Sequence, residues 1–370
     1  MRETLDYNFQ KQYQGRNDMP PSTDDTLAKP ELTVSSSHYP KSDHYNGNIF
    51  FNPDLKTTKS WRQVWKMLRE RKGKNPWPGF VENKATPELA EQLKTDEVSI
   101  TYVNHASHLI QLHNMNILTD PVFSKRAGPM SLLGPKRVRR PGIELDELPT
   151  IDVVLISHNH YDHMDLPALK KLQRMFQPLF IVPLGNRKYL KTKIFPKVIE
   201  LDWWQTQALT KIHAITLVPA QHWSMRTFKD TNTALWGGFW IQCDTLKIYF
   251  CGDSGYGSHF KLIQERLGAP DISILPIGSY EPRWFMQDHH MNPEEAILAS
   301  IDLQSSLSIA THHQTFRLSM EKINDPVINL NRRLIAHGLT TKEFMAPETG
   351  ETITYCKSLK LNDPTSPLNT

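Results

Sequence analysis

A chain of 370 residues can bury a sizeable core, and 43 Lys plus Arg against 39 Asp plus Glu leaves a net charge of only +4, which excludes the strongly basic footprint of a nucleic-acid-binding protein. No apolar run reaches the roughly 18 residues of a membrane span, and Met1-Arg2-Glu3 opens no secretory signal, so a cytoplasmic, soluble or peripheral protein is expected. Cys243, Cys251 and Cys356 form no CxxC pair and no disulfide framework, which suits a reducing compartment.

Residues 1–55 are rich in Ser, Asp, Asn, Lys and Pro and poor in aliphatics. Such a segment buries too little apolar surface to offset its ordering entropy, so an extended or disordered arm is expected, with His38 and His44 solvated. The folded domain is expected over 56–360, with 361–370 as a tail. Trp61, Val64, Trp65 and Leu68 fall at i, i+3, i+4 and i+7, an amphipathic helix pattern between Lys59 and Lys74. Arg62, Lys66, Arg69, Arg71, Lys72 and Lys74 surround them. The helix either docks on the domain or lies at an anionic lipid surface.

Val98 to Leu118 starts a sheet, with a turn at Asn104-His105-Ala106, and ends at Thr119-Asp120-Pro121. His105, beside that turn, is either structural or part of a site's surroundings. Phe123 to Gly142 is a basic loop carrying Lys125, Arg126, Lys136, Arg137, Arg139 and Arg140, with Met130, Leu132 and Leu133 between them. It is either a solvated loop or an edge that meets phospholipid headgroups or phosphates.

Val153-Val154-Leu155-Ile156 is short, β-branched and unbroken, the pattern of a buried strand. It runs into Ser157-His158-Asn159-His160-Tyr161-Asp162-His163, four potential metal ligands within six residues. Asp165 then caps a helix with Pro167 in its first turn and Leu166, Leu169 and Leu172 facing inward. The cluster thus sits on a tight loop at the carboxyl end of a central strand, where α/β sheets bind ligands. Alternation puts His158 and His160 on one side, while Asp162 and His163 turn toward a second position. Imidazoles and carboxylates at this density suit borderline cations, zinc first.

Later strands end in the same residue types. Ile215–Val218 leads to His222, Ile248–Cys251 to Gly252-Asp253, and Ser308–Thr311 to His312-His313. That repetition points to one site assembled at one edge of a sheet structure.

The spacing H-x-H-x-D-H after an apolar strand resembles the signature of the metallo-β-lactamase superfamily, which implies an α/β fold of αββα sandwich type using about 250–300 residues. Asp120 matches the superfamily's first acid, with an orienting role. The resemblance sharpens at Leu118–Phe123, Gly134–Arg137, Leu155–His163, Glu200–Trp204, Gln221–Trp223, Gly252-Asp253 and Pro276–Met286. These stretches are similar to the N-acylphosphatidylethanolamine-hydrolysing phospholipase D family, over roughly Trp61 to Phe316. The resemblance implies two Zn²⁺ per chain: one on His158, His160 and His222, the other on Asp162, His163 and His312, with Asp253 bridging. His312 is preferred to His313 through its spacing to Thr315-Phe316, and His313 is expected to point away. Tyr161 and His290 match substrate-contacting positions. Asp253, Asp162 and His290 are the catalytic candidates.

The expected reaction is hydrolysis of N-acylphosphatidylethanolamine to an N-acylethanolamine and phosphatidic acid, at an anionic membrane surface. The expected partners are that phospholipid and that surface, without nucleic acid; a homodimer is left open. Two alternatives remain at this stage: a soluble hydrolase of phosphorylated sugars or lactones, and a metal- or lipid-binding protein without turnover.

Overall fold

The computed structural model describes residues 39–55, 59–71, 75–129 and 132–361, and within them the apolar runs pair into two seven-stranded sheets. The first holds β1 (Glu97–Asn104), β2 (Ser107–Leu112), β3 (Met115–Thr119), β4 (Val153–Leu155), β5 (Leu179–Pro183) and β6 (Val198–Leu201), with β14 (Thr352–Cys356) beside β1. The second holds β7 (Thr206–Ala208), β8 (His213–Val218), β9 (Gly238–Cys243), β10 (Leu246–Phe250), β11 (Ile272–Pro276), β12 (Leu307–Thr311) and β13 (Phe344–Met345). Its strands lie side by side in chain order, β7 to β13.

Alternation explains the unbroken apolar runs. Val153 and Leu155 face the core between the sheets with Ile117, Ile215, Phe239 and Ile274. Val154 and Ile156 face outward onto Leu169 and Leu172, which belong to a helix over Leu166–Phe176. A strand covered on both faces has no polar side to show. On the second sheet, helices over His259–Leu267, Pro293–Leu303 and Asp325–Ala336 supply the outer layer, packing Phe260, Ile297 and Leu330 against Tyr249, Leu275 and Ala310. The result is the expected αββα sandwich.

The helix after the ligand loop begins where expected. Asp165 accepts from Ala168 N at 3.5 Å and, more closely, from Ser124 N at 2.7 Å and Ser124 Oγ at 2.8 Å. One carboxylate therefore caps the helix and ties the basic loop to it.

The N-terminal expectation needs correction. His38 lies outside the described residues, but from Tyr39 to Leu55 the chain docks on the domain. Phe50 is 1% exposed and His44 5% exposed. The His44 ring stacks on Trp203 at 4.3 Å, with Nε2 2.7 Å from Asp202 Oδ1 and Nδ1 2.6 Å from Asp43 Oδ1. Aromatic residues spaced through a polar segment (Tyr39, Tyr45, Phe50) provide the anchoring that mean composition hides. Asn52 continues the dock by donating from Nδ2 to the carbonyl of His222 at 2.6 Å.

The basic helix forms over Trp61–Arg71, yet Trp65 is 70% exposed. Among its described side chains, polar and cation–π contacts help to fasten it. Lys59 pairs with Asp288, Lys66 lies 4.5 Å over the Trp284 ring, and Trp284 Nε1 donates to Glu70 at 3.3 Å. The basic loop divides in a way its composition conceals. Lys125, Lys136 and Arg140 are exposed, as are Leu132 and Leu133, whereas Arg139 is buried at 6% exposure. Arg137 donates to Val122 O at 2.8 Å and Ser124 O at 3.0 Å, so it is a structural brace rather than a surface cation. Met130 lies outside the described residues.

The His44 dock has a pH signature. Burial opposes its protonation, but Asp202 and then Asp43 outweigh burial and raise its pKa above the usual 6.5. A raised folded pKa gives stability that is complete below the unfolded pKa and lost as pH rises through the folded value. His44→Ala is expected to lower unfolding free energy by about 2 kcal/mol near pH 6, and by less toward pH 9. Urea titrations at both pH values check this; a deficit that grows with pH contradicts it.

Candidate metal centre

The strand ends bring their polar residues to one place. His158, His160, Asp162 and His163 follow β4, His222 follows β8, Asp253 follows β10 and His312 follows β12. The first sheet supplies the loop and the second supplies the other three. Gly252 is required for the approach: its φ is +63°, and a Cβ there would lie 2.5 Å from Ser157 Cβ.

Two groups of donor atoms result. In the first, His158 Nε2 and His222 Nε2 lie 2.8 and 3.3 Å from His160 Nδ1. In the second, His163 Nε2 and His312 Nε2 each lie 3.5 Å from Asp162 Oδ2. Asp253 faces both. Its Oδ2 is 3.2 Å from His163 Nε2, 3.7 Å from His222 Nε2 and 3.9 Å from His158 Nε2, while its Oδ1 is 3.3 Å from His312 Nε2.

Several of these rings are held from behind. Asp120, fully buried, accepts from Ser157 N at 2.7 Å and Ser157 Oγ at 2.6 Å, and its Oδ2 holds His163 Nδ1 at 2.7 Å. These contacts put Asp120 directly behind the His163 ring. His222 Nδ1 donates to His289 O at 2.9 Å, which leaves Nε2 as the lone-pair nitrogen facing the group. Arg226 Nη1 donates to Asn159 O at 2.9 Å and Met164 O at 2.8 Å, bracing the ligand loop near both ends.

The electrostatics call for cations. Burial pushes His158 and His222 well below the usual imidazole range and lowers His160 to about 4, so the first group offers neutral nitrogen donors. Burial would raise Asp162 and Asp253, but the surrounding imidazoles, His163 foremost, hold both carboxyls well below their usual range. Burial also opposes charge on His163 and His312. Asp253 and Asp162 nevertheless hold His163 well above its usual value and lift His312 to about 9. Buried Asp253 and partly buried Asp162 thus draw a positive charge into the second group.

The atoms fit metal ions. His163 Nε2, His312 Nε2 and Asp253 Oδ1 are buried without a hydrogen-bond partner, although they converge. A tetrahedral zinc bound to nitrogen at 2.0–2.1 Å spaces its ligand nitrogens by about 3.3 Å, close to the spacings seen in the first group. Leaving so many converging polar atoms unpaired would otherwise be costly.

The remaining expected site residues take distinct places. His290 lies at the edge of the site, half-buried, with Nδ1 unpartnered and 3.8 Å from Asp253 Oδ2. Tyr161 donates its hydroxyl to Arg226 O at 2.8 Å, and the Arg226 guanidinium lies 4.1 Å over its ring. It therefore presents a ring face rather than a free hydroxyl. His313 is buried with its ring 5.2 Å from Tyr102 and belongs to neither group. His105 joins the second group through Asp162 Oδ2 at 3.0 Å, which its position near a turn left open. Sequence patterns give no sign of Asn52, Arg226 or the His289 carbonyl, because each acts through a long-range backbone contact.

Comparison with known proteins bears on the family and the fold. Residues 115–313 match the Beta-lactamase superfamily domain. The chain is 35% identical over 328 residues to N-acyl-phosphatidylethanolamine-hydrolyzing phospholipase D 1 of Caenorhabditis elegans, covering 83% of this chain and 92% of that one. It is 35% identical over 258 residues to the mitochondrial N-acyl-phosphatidylethanolamine-hydrolyzing phospholipase D of Saccharomyces cerevisiae, covering 68% of this chain and 55% of the yeast protein. The solved structure of Igni18, a metallo hydrolase of Ignicoccus hospitalis, is similar at a TM-score of 0.54 and 22% identity, over 70% of this chain and 98% of that one; it bears on the fold alone. The chain therefore belongs to the N-acylphosphatidylethanolamine-hydrolysing phospholipase D family, a branch of hydrolases with the metallo-β-lactamase fold.

Proposed function

We propose that this chain is a zinc-dependent phosphodiesterase that cleaves N-acylphosphatidylethanolamine to an N-acylethanolamine and phosphatidic acid. The observation that carries the reading is Asp253, one buried carboxylate that faces both imidazole groups, with Oδ2 toward His163, His222 and His158 and Oδ1 toward His312. His158, His160 and His222 would hold one zinc and Asp162, His163 and His312 the other, with Asp253 shared. Bound there, the pair supplies Lewis acidity toward phosphoryl oxygens and a lowered pKa for water.

The chain's own residues position the rest. Hydrolysis forms a bond from water oxygen to phosphorus and breaks the bond from phosphorus to the ethanolamine oxygen, which leaves with a proton. His290 Nδ1 is placed to hydrogen-bond a phosphate or leaving-group oxygen, since it is unpartnered and beside Asp253. Its backbone is fixed: Arg283 Nη1 donates to His290 O at 2.9 Å, and Arg283 Nη2 grips both Glu295 oxygens at 2.7 Å. Tyr161 supplies an aromatic wall for the substrate, stiffened by Arg226.

A bilayer substrate also needs a docking face, and none of the described helices is long and apolar enough to cross a membrane. The protein acts at an anionic cytoplasmic membrane surface as a peripheral enzyme. Trp65, Leu132, Leu133 and Phe228, from 62% to 88% exposed, sit in segments that also carry basic side chains. Each of these segments contacts the site's surroundings. Trp65's helix reaches the segment before His290 through Trp284 and Asp288. Phe228 follows Arg226, and the loop carrying Leu132 and Leu133 is followed by Arg137, whose guanidinium lies 5.4 Å over Phe316 beside His105.

Incubation of the holoenzyme with a mixed phospholipid panel, read by mass spectrometry, tests the reaction. N-acylethanolamine and phosphatidic acid are the expected products; turnover of a phosphorylated sugar or a lactone instead would refute it.

For the site, metal analysis is expected to find close to two zinc ions per chain, and Asp253→Ala to lose both. His312→Ala should lower turnover by about a hundred- to a thousandfold, of the order of the removal of a directly acting group. His313→Ala should retain the metals and most turnover while lowering stability by about 1–3 kcal/mol, the cost of a vacated buried site. The reverse pattern would mean that the neighbouring histidine is the ligand.

For the surface, binding to anionic vesicles should weaken with salt. It should fall tenfold or more in Trp65→Ala/Phe228→Ala, each ring contributing about 1–3 kcal/mol if buried in lipid. Hydrolysis of a short-chain soluble phosphodiester should persist. Equal loss on both substrates, or no vesicle binding, would remove the docking face from the proposal.

A further inference from the structure

We infer that His105 is the positioning residue of the second ligand group: its side chain fixes the Asp162 carboxylate while its backbone fixes His312. The inference rests on the metal-binding reading proposed for that group.

His105 stands at the corner between β1 and β2, where the pairing register shifts after Tyr102. Its φ is +47°, a left-handed conformation that costs a non-glycine residue about 1–2 kcal/mol. Three hydrogen bonds hold it there. Its N–H donates to Thr315 Oγ1 at 3.0 Å, and its carbonyl accepts from His312 N at 2.7 Å and Thr311 Oγ1 at 2.8 Å. The corner of the first sheet is thereby clasped to the end of β12 in the second, at the residue that presents His312. The same conformation aims the imidazole at Asp162.

The residue is 1% exposed, and its ring lies 4.0 Å from the His312 ring and meets Phe316 edge-on at 5.2 Å. Its Nε2 is 3.0 Å from Asp162 Oδ2, closer than His163 or His312, both at 3.5 Å. Those two imidazoles also approach Asp253, at 3.2 and 3.3 Å. Among the described residues, the carboxylate that His105 meets is Asp162 alone. The distance is that of an N–H donating to a carboxylate. A nitrogen that donates its proton to Asp162 has no lone pair for an ion, so His105 acts through the carboxylate. A carboxylate so held keeps one rotation relative to His163 and His312, the geometry that a metal ligand set needs before the ion arrives.

The test is stepwise Zn²⁺ binding by the full metal-free chain, measured by chelator competition, with Co²⁺ absorption as a second readout. His105→Phe keeps the ring against Phe316 and removes the donor. It should bind one ion as the unchanged chain does and the other 10–100-fold more weakly, with altered Co²⁺ bands for that ion. His105→Gln retains a donor of similar reach and should recover most of the loss. If His105→Phe fails to fold, His105→Asn, which tolerates the left-handed backbone but is too short to reach Asp162, gives the same contrast with Gln. Unchanged affinities in the donor-less variants overturn the inference. So does a Gln variant that loses the ion as completely as Phe, which is the behaviour of a ligand. An unchanged chain that takes up fewer than two ions refutes the metal reading itself, before any variant is compared.

Discussion

A carboxylate cannot be buried among imidazoles without compensation, and Asp253 is the residue on which this constraint falls. It is 4% exposed and faces nitrogens from loops of both sheets. Taking such a charge from water costs several kcal/mol unless neighbours or ions return it. The surrounding histidines do so only in part. Several are themselves held neutral by burial, and converging atoms on His163, His312 and Asp253 lack a hydrogen-bond partner. Bound metal would complete the set, which is why metal binding and the integrity of this edge of the sandwich belong to one physical problem.

The sandwich answers that problem by rigidity. Every member of the two groups stands just beyond a strand whose side chains are locked on both faces, so the loops start from fixed points. Behind them lies a ring of hydrogen bonds: Asp120 to His163, the His289 carbonyl to His222, Asn52 to the His222 backbone, and Arg226 to the ligand loop. Much of this ring comes from segments distant in the chain. The docked segment from Tyr39 to Leu55 thus does more than cover the core, since it reaches a residue adjacent to the metal groups.

Basic residues around the site fall into two kinds that composition does not separate. Arg137 and Arg139 turn inward and satisfy carbonyls, whereas Lys125, Lys136 and Arg140 stay in solvent beside exposed Leu132 and Leu133. Only the second kind is free to meet a headgroup. The long arginine stem can bury its aliphatic part and still deliver five donors, so a basic run is a poor guide to surface charge by itself.

Local patterns determined the strands, the capped helix after Asp165 and the residue types at the strand ends, because apolar period and side-chain chemistry are properties of neighbouring residues. The H-x-H-x-D-H loop and the acid and histidines that end later strands were legible in this way, and the folded chain brings all seven together. Which side chains stand behind them was not legible. Asn52 lies 170 residues from His222, and Arg226 lies 67 from Asn159, so no periodicity links them. His44 and Tyr39 sit in a segment whose average composition is that of a disordered arm, yet a few aromatic contacts and two carboxylates hold it. His105 looked like a turn histidine; its role depends on a left-handed backbone that is tolerated only because β12 of the opposite sheet supplies its hydrogen bonds. The sequence by itself therefore determined the fold class and the donor residue types at the strand ends, and the tertiary structure alone decided what orients them, because orientation arises from contacts between segments that chain order keeps apart.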